Sequence, residues 1–155
     1  MTQLEEGRKA PDFSIKLTDR RAATLGSFAG KPLVIFFYPK DNTQGCTLEA
    51  NEFSALLPEF ERAGIQVIGV SPDDLSSHEK FCRKHDLKIT LGSDPEHAML
   101  EAYGVWKEKS MYGRTYMGVE RTTLLLDKDG TIIRLWPKVK AAGHAADVLE
   151  AARIL

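Results

Sequence analysis

An unbroken apolar run, Leu33-Val34-Ile35-Phe36-Phe37, constrains this 155-residue chain more than any other feature. Five successive β-favouring side chains with no polar alternation fit a strand covered on both faces rather than one with a wet side. Residues 47–63 follow with Phe53, Leu56, Leu57 and Phe60 at i, i+3, i+4 and i+7, the spacing of a helix with one apolar stripe. Gly64 then stops the helix, and Ile65-Gln66-Val67-Ile68-Gly69-Val70 supplies a second buried strand. Strand, helix and strand in this order favour an α/β architecture. Pro58 falls inside the helical pattern, where a lost donor and a clash with the preceding turn predict a kink or break near Leu57.

The remainder extends the pattern. Ala10-Pro11-Asp12-Phe13 and Gly26-Ser27-Phe28-Ala29-Gly30 punctuate short N-terminal strands and turns. Ser76 with Glu79 three residues on reads as a capping box, predicting a helix from about Ser77 to His85 that carries Cys82. Ile89-Thr90-Leu91 reads as a short strand and residues 96–103 as a short helix. Residues 104–119, rich in Gly, Met and aromatics, read as a loop. Two apolar runs, 122–126 and 131–136, flank Asp127-Lys128-Asp129-Gly130 and predict a hairpin. Ala145, Val148, Leu149, Ala152 and Leu155 mark one face of a closing helix. The expectation is one domain over residues 1–155, with a central mixed sheet flanked by helices on both faces; the terminal hairpin argues against a purely parallel sheet.

Length and charge narrow the function classes. A chain of this size buries roughly 70% of its unfolded surface and needs neither disulfide nor metal to fold. Charged residues make up 28% with a net charge of -1, which gives no general pull toward nucleic acid or anionic membrane. The longest strongly apolar run is far short of the ~20 residues of a membrane span. Met1-Thr2-Gln3-Leu4-Glu5-Glu6 has no apolar signal region, so a cytoplasmic location with reduced thiols is expected. Two cysteines and the scattered His78, His85, His97 and His144 do not make a zinc site, and each histidine reads as a surface or helix residue. There is no C-x-x-C, P-loop or G-x-G-x-x-G motif, so thiol exchange of the thioredoxin kind and nucleotide binding lack support. A Cys–His hydrolase has no motif behind it. No cofactor is implied.

Cys46 is the residue placed for chemistry. It follows the first buried strand and a polar loop, at the start of a helix. Chemistry in open α/β sheets collects at the carboxyl ends of strands. A helix start offers unpaired N–H groups and a positive dipole end that favour thiolate. An ordinary thiol is only a few per cent thiolate at pH 7, so such help matters. Gly45 permits close backbone approach to a ligand, and Thr43 can bring a hydroxyl near the sulfur. The competing reading is a buried, inert cysteine.

The segment Phe37-Tyr38-Pro39-Lys40-Asp41-Asn42-Thr43-Gln44-Gly45-Cys46-Thr47-Leu48-Glu49 resembles the active-site signature of the peroxiredoxins, with Pro, Thr and Cys in P-x-x-x-T-x-x-C spacing, in the bacterioferritin-comigratory-protein (PrxQ) branch. Residues 10–13, 104–106, 117–118 and 120–123 match in order and spacing. The resemblance implies a thioredoxin-like fold and thiol-dependent reduction of hydrogen peroxide and organic hydroperoxides. It implies Cys46 as the peroxidatic cysteine, Thr43 as the hydroxyl that meets peroxide and thiolate, Pro39 as a shield and Arg121 as the guanidinium that supports both. Arg121 fits on physical grounds also, since its flat fork serves sulfur and oxygen together and it precedes a predicted strand. Without the resemblance it reads as a surface charge. Gln44 stands where the family usually has proline, and with Gly45 it is expected to contact substrate. Glu49 reads either as a group orienting Arg121 or Lys40, or as a surface acid in a first helical turn.

The position where many relatives carry a resolving cysteine is Asn51 here; Cys82 resembles the variant in which it lies on the next helix. Peroxide would oxidise Cys46 to a sulfenic acid, which Cys82 attacks to form an intramolecular disulfide. Bridging needs Cα atoms within ~7 Å, so two helices would have to open locally. Alternatives left open are a packed Cys82 with a one-cysteine cycle, and a redox sensor or interaction domain. Met111, Tyr112, Tyr116 and Met117 read either as a hydroperoxide pocket or as a loop packed on the sheet; Lys107, Lys109 and Arg114 read as a solvated loop. The resemblance further implies a thioredoxin or glutaredoxin-type reductant, no nucleic acid or membrane partner, and a monomer.

Overall fold

The computed structural model describes residues 4–19 and 21–155. The unbroken apolar run becomes β3 (Leu33–Phe37), an interior strand of a seven-stranded sheet. The other strands of that sheet are β1 (Ser14–Leu17), β2 (Ala22–Thr24), β4 (Gln66–Ser71), β5 (Thr90–Ser93), β8 (Thr122–Leu126) and β9 (Ile132–Trp136), in the spatial order β2-β1-β5-β4-β3-β8-β9. β3, β4 and β5 run parallel, while β8 and β9 join antiparallel on one side and β1 and β2 on the other. The sheet is mixed, as expected, and the 122–136 hairpin forms. The Asp127 carboxylate accepts from the N–H groups of Asp129 (2.8 Å) and Thr131 (3.0 Å) in its turn.

The alternation of β3 explains why all five of its residues are buried. Leu33, Ile35 and Phe37 enter one core with the N-terminal strands and with Met99 and Leu100 of α3 (Ala98–Ala102). Val34, Phe36 and Tyr38 enter the other. That second core collects Ala50, Phe53 and Phe60 of α1 (Gln44–Arg62), Phe81 of α2 (Leu75–His85) and Val148 and Leu149 of α4 (His144–Arg153). Helices therefore cover both faces. Gly69 is required in β4, because a Cβ there would come within 2.5 Å of the Phe36 ring.

Five expectations are corrected. Helix α1 passes through Pro58 without a break. The lost hydrogen bond and clash cost about 3 kcal/mol, which the burial of Ala50, Phe53 and Phe60 along one stripe outweighs at roughly 1.5–3 kcal/mol per large side chain. Helix α1 also begins at Gln44 rather than Thr47, with extended Thr43 (φ -80°, ψ 155°) as N-cap. The cap of α2 is Asp74, whose carboxylate accepts from the Ser77 N–H at 2.8 Å, two residues before the predicted Ser76 box. Residues 104–119 are not a loop. They hold β6 (Trp106–Met111) and β7 (Arg114–Val119), paired antiparallel through Tyr112 and Gly113, both at positive φ (52° and 77°) as two-residue hairpin turns require. Leu155 lies beyond α4 and is exposed, so it is not part of that helix's buried face. Among the described residues no helix is long and apolar enough to cross a membrane.

Candidate active site

The register Phe37↔Thr122 sets the end of β3 beside the start of β8. Tyr38 and the loop to α1 therefore leave the sheet next to Arg121, the residue just before β8. The backbone carbonyl of Arg121 accepts from the Val139 N–H (2.8 Å), which fixes its main chain. Asn42 turns the loop at φ 65°, a left-handed conformation that asparagine tolerates better than most. The first helical bond of α1 runs from the Thr47 N–H to the Thr43 carbonyl (2.9 Å), so the N–H groups of Gln44, Gly45 and Cys46 have no intrahelical acceptor.

Cys46 and Glu49 stand three residues apart on α1 and so share one helix face. The Arg121 guanidinium meets both: Nη2 donates to Cys46 Sγ at 3.3 Å and Nη1 to Glu49 Oε1 at 2.6 Å. Cys46 is 1% exposed, Glu49 is fully buried, and Arg121 is mostly covered. Gly45 leaves room for the guanidinium, since a Cβ there would lie 3.2 Å from Nη2.

Burial pushes the Glu49 carboxyl up to about 7, against the lowering effect of Arg121. Among the described residues its second oxygen, Oε2, has no hydrogen-bond partner. Burial works against the Arg121 charge too, but Glu49 and Cys46 outweigh it and raise the guanidinium further. Glu49 is therefore the group that orients Arg121 and not a surface acid, and Arg121 is not a surface charge. Lys109, on β6, lies close enough to respond to this centre: burial lowers its ammonium, Arg121 lowers it further, and Cys46 and Glu120 raise it.

The remaining expected residues are placed less directly. Thr43 is exposed, and its hydroxyl donates to the Lys40 carbonyl at 2.9 Å. Pro39 is half-buried, Gly45 is half-buried and Gln44 is exposed. Met111, Tyr112, Tyr116 and Met117 are exposed on the hairpin and not packed as a loop on the sheet. Met117 lines a cleft with Tyr103, Val105, Trp106 and Leu135 that does not include Cys46.

Cys82 is half-buried on α2, and both cysteines are free thiols. Burial pushes the Cys82 thiol up to about 11, helped by the carboxylates of Asp41 and Glu79.

A buried polar group escaped the sequence reading. His78 is fully buried rather than a surface residue, and His144 is nearly so. His144 Nε2 meets Thr123 Oγ1 at 2.8 Å, and burial lowers its imidazole to about 4. His78 Nδ1 meets Asp41 Oδ2 at 2.8 Å and Nε2 meets the Gly92 carbonyl at 2.9 Å. Both ring nitrogens thus face oxygen atoms of the protein. The Asp41 carboxylate also accepts from Tyr38 Oη (2.7 Å) and Ser77 Oγ (2.8 Å). Burial alone would raise the Asp41 carboxyl, but His78, Tyr38 and Ser77 bring it below its ordinary value. Metal-capable atoms of Asp41, Asp73 and His78 lie within 4.8 Å of one another. Each is already engaged by a hydrogen bond within the protein. The only sequence signal was polarity next to a buried strand; nothing local joined residue 41 to residue 78.

Comparison with known proteins identifies the family of the chain. The AhpC/TSA family matches residues 7–135. Peroxiredoxin Bcp of Xanthomonas campestris is 48% identical over 140 residues, covering 90% of this chain and 88% of that protein. A cysteine mutant of Xylella fastidiosa PrxQ superposes with a TM-score of 0.93 at 35% identity, covering 99% of this chain and 98% of that one. A structure of the Xanthomonas campestris bacterioferritin comigratory protein, solved to study its alkyl peroxide reduction activity, gives 0.87 at 45% identity over 92% and 90% of the two chains.

Proposed function

The chain belongs to the AhpC/TSA family, as a thiol peroxidase of the Bcp/PrxQ peroxiredoxins with a thioredoxin-like fold, and from that membership we propose that Cys46 is its peroxidatic residue and Cys82 its resolving one. Its substrates are hydrogen peroxide and organic hydroperoxides. The observation that carries the assignment is the Arg121 guanidinium, which donates to Cys46 Sγ at 3.3 Å while Glu49 holds its other nitrogen.

The chemistry follows from that fork. The Cys46 thiolate attacks one peroxide oxygen, the O–O bond breaks, and negative charge grows on the departing oxygen, which leaves with a proton as water or alcohol. Sulfur is oxidised by two electrons to the sulfenic acid. A cation fixed beside the sulfur stabilises negative charge as it moves from sulfur to the departing oxygen. The free N–H groups of Gln44, Gly45 and Cys46 complete the donor set; the Thr43 hydroxyl joins it by turning from the Lys40 carbonyl, and Pro39 shields it. The Cys82 thiolate then attacks the sulfenic sulfur, an S–S bond forms, the S–O bond breaks, and the hydroxide leaves as water. A dithiol reductant of thioredoxin or glutaredoxin type returns the two electrons. We place the protein in the cytoplasm as a monomer.

A second reading keeps Cys46 as the only working thiol, with an external thiol or a sensing partner resolving it. Burial of Cys82, which pushes its thiol up to about 11, favours that reading. The deciding experiment treats reduced protein anaerobically with one equivalent of hydrogen peroxide and maps the peptides without reductant. Loss of two hydrogens with a Cys46–Cys82 cross-linked peptide is expected. Oxygen added at Cys46 without a cross-link would transfer the assignment to the one-cysteine reading, and an unreactive Cys46 would overturn it altogether.

A further inference from the structure

The Asp41 cluster contacts neither Cys46 nor Arg121, and the chemistry above leaves it unused. Its position is specific. Asp41 sits five residues before Cys46, in the loop that feeds α1, and is 5% exposed. Its partners Ser77 and His78 lie in the first turns of α2, the helix of Cys82. Three bonds cross between the two segments. Asp41 Oδ2 accepts from Ser77 Oγ (2.8 Å) and from His78 Nδ1 (2.8 Å), and the Asp41 N–H donates to Asp73 Oδ2 (2.9 Å) just before the α2 cap. Ser71 Oγ donates to the same Asp73 oxygen at 2.6 Å, and His78 is tethered to β5 through the Gly92 carbonyl. Tyr38, at the end of β3, holds the other Asp41 oxygen. The carboxylate therefore stands between the sheet, the loop entering α1 and the start of α2.

Cys82 is four residues after His78, on the same face of α2. A helix held at His78 is thus held one turn from the second sulfur. A Cys46–Cys82 disulfide requires the start of α1 and the first turns of α2 to leave these positions.

We propose that Asp41 is a positioning residue that fastens the loop entering the Cys46 helix to the helix of Cys82, so that the two segments open together and the release of Asp41 sets the rate of disulfide formation. The proposal rests on Cys82 being the resolving thiol. Loss of the carboxylate contact would also lift one of the charges that keep Cys82 protonated, and opening would lift the burial that is the larger cause. The same movement that brings the thiols together thus makes the attacking one reactive. While the latch is closed, Cys46 keeps its place against Arg121 long enough to meet peroxide. Once open, resolution competes with further oxidation of the sulfenic acid.

Ser77→Ala removes one bond from the latch and touches no reacting atom; Asp41→Asn removes the charge. Rapid quenching with a thiol-blocking reagent and mass spectrometry separates oxidation of Cys46 from cross-linking to Cys82. Resolution is expected to quicken about fivefold in Ser77→Ala and about tenfold or more in Asp41→Asn. Oxidation of Cys46 should stay within about twofold of wild type, with less sulfinic acid at high peroxide. An unchanged resolution rate in Ser77→Ala, together with unchanged sulfinic acid yield, overturns the proposal even if Asp41→Asn does not fold. Amide hydrogen exchange reads the coupling independently of Cys82 chemistry. In Ser77→Ala, exchange in residues 44–49 and 75–82 should rise by the same factor, and a rise confined to 75–82 overturns the latch. A wild-type protein that forms no Cys46–Cys82 disulfide while both segments respond together would sink the role of Cys82 and leave the coupling standing.

Discussion

The two cysteines are the same functional group in opposite surroundings. Cys46 stands at a helix start with a guanidinium on its sulfur. Cys82 lies in the body of a helix, half-covered, with Asp41 and Glu79 close enough to resist its ionisation. Both sulfurs pack at the second core, so burial alone does not separate them. The difference lies in which charge the fold brings up. The register of β3 against β8 delivers an arginine to one, while the loop entering α1 and the body of α2 bring the carboxylates of Asp41 and Glu79 to the other. A protein that needs one thiol reactive from the outset and a second only after a rearrangement can assign the two states by placing charge.

The largest test removes the cation. Arg121→Met should lower the rate of Cys46 oxidation by about 10²–10³, in line with losing one fixed donor at a charge-developing centre. It also leaves Glu49 buried without its counter-charge, which costs about 3–5 kcal/mol of stability if the carboxylate stays ionised. Peroxide consumption by single-turnover kinetics and a denaturant melt read the two effects. An oxidation rate within about threefold of wild type would show that the helix start alone distinguishes Cys46 from Cys82.

Glu49 sharpens the same point through pH. Its carboxyl is raised from 4.5 to about 7, chiefly by burial. With the folded pKa above the unfolded one, its stability contribution is fully present below pH ~4.5 and is lost as pH rises through ~7. The window corresponds to about 3 kcal/mol. Glu49→Gln, which keeps an oxygen for Arg121, should remove most of that slope, so the variant gains on wild type between pH 5 and 8. Parallel unfolding curves across that range would mean that Arg121 holds Glu49 ionised throughout, and that the guanidinium is shared more evenly between sulfur and carboxylate.

How much of this was legible is itself informative. The two buried strands were readable as unbroken apolar runs, and Cys46 by its place after a strand and a polar loop at a helix start, whereas Glu49 was left between orienting Arg121 or Lys40 and a surface acid because its helix face toward Cys46 depends on where α1 begins. Arg121 was legible by its place one residue before a strand and by the family signature. Three features were not. The continuity of α1 through Pro58 depends on what Phe53 and Phe60 pack against, and sequence distance hides that. The β6–β7 hairpin has exposed residues on both faces, so it lacks the period-2 signature that marks half-buried strands. The Asp41–His78 contact joins residues 37 apart, and only the parallel pairing of β3 with β4 brings them together.

Gly45→Ala separates stability from chemistry. Gly45 lies in the first turn of α1, where alanine is the better helix former by up to about 1 kcal/mol. The added Cβ meets Arg121 Nη2 at 3.2 Å, so the guanidinium must shift by a few tenths of an ångström from its present place on the sulfur. Oxidation of Cys46 should slow by about three- to tenfold while thermal stability holds or rises. A variant that is more stable and equally fast would show that the fork tolerates displacement and that its charge matters more than its position.

The smallest expected effect is at Lys109, and it decides whether the contrast between the cysteines belongs to one cation or to a field. Its stem lies across β7 at Gly118, where a Cβ would come within 3.3 Å of Cδ, so the missing side chain leaves room for it. The half-covered ammonium responds to both Arg121 and Cys46, but no hydrogen bond joins it to the sulfur among the described residues. A solvent-reaching charge acting at a distance is screened by salt, whereas a buried donor in contact is not. Lys109→Gln should therefore slow Cys46 oxidation by about two- to threefold at low ionic strength, and the deficit should vanish by ~0.5 M salt. The deficit of Arg121→Met should persist under the same conditions. If both deficits vanish with salt, the arginine acts as a remote charge rather than a fixed donor; if neither does, Lys109 is a second member of the site.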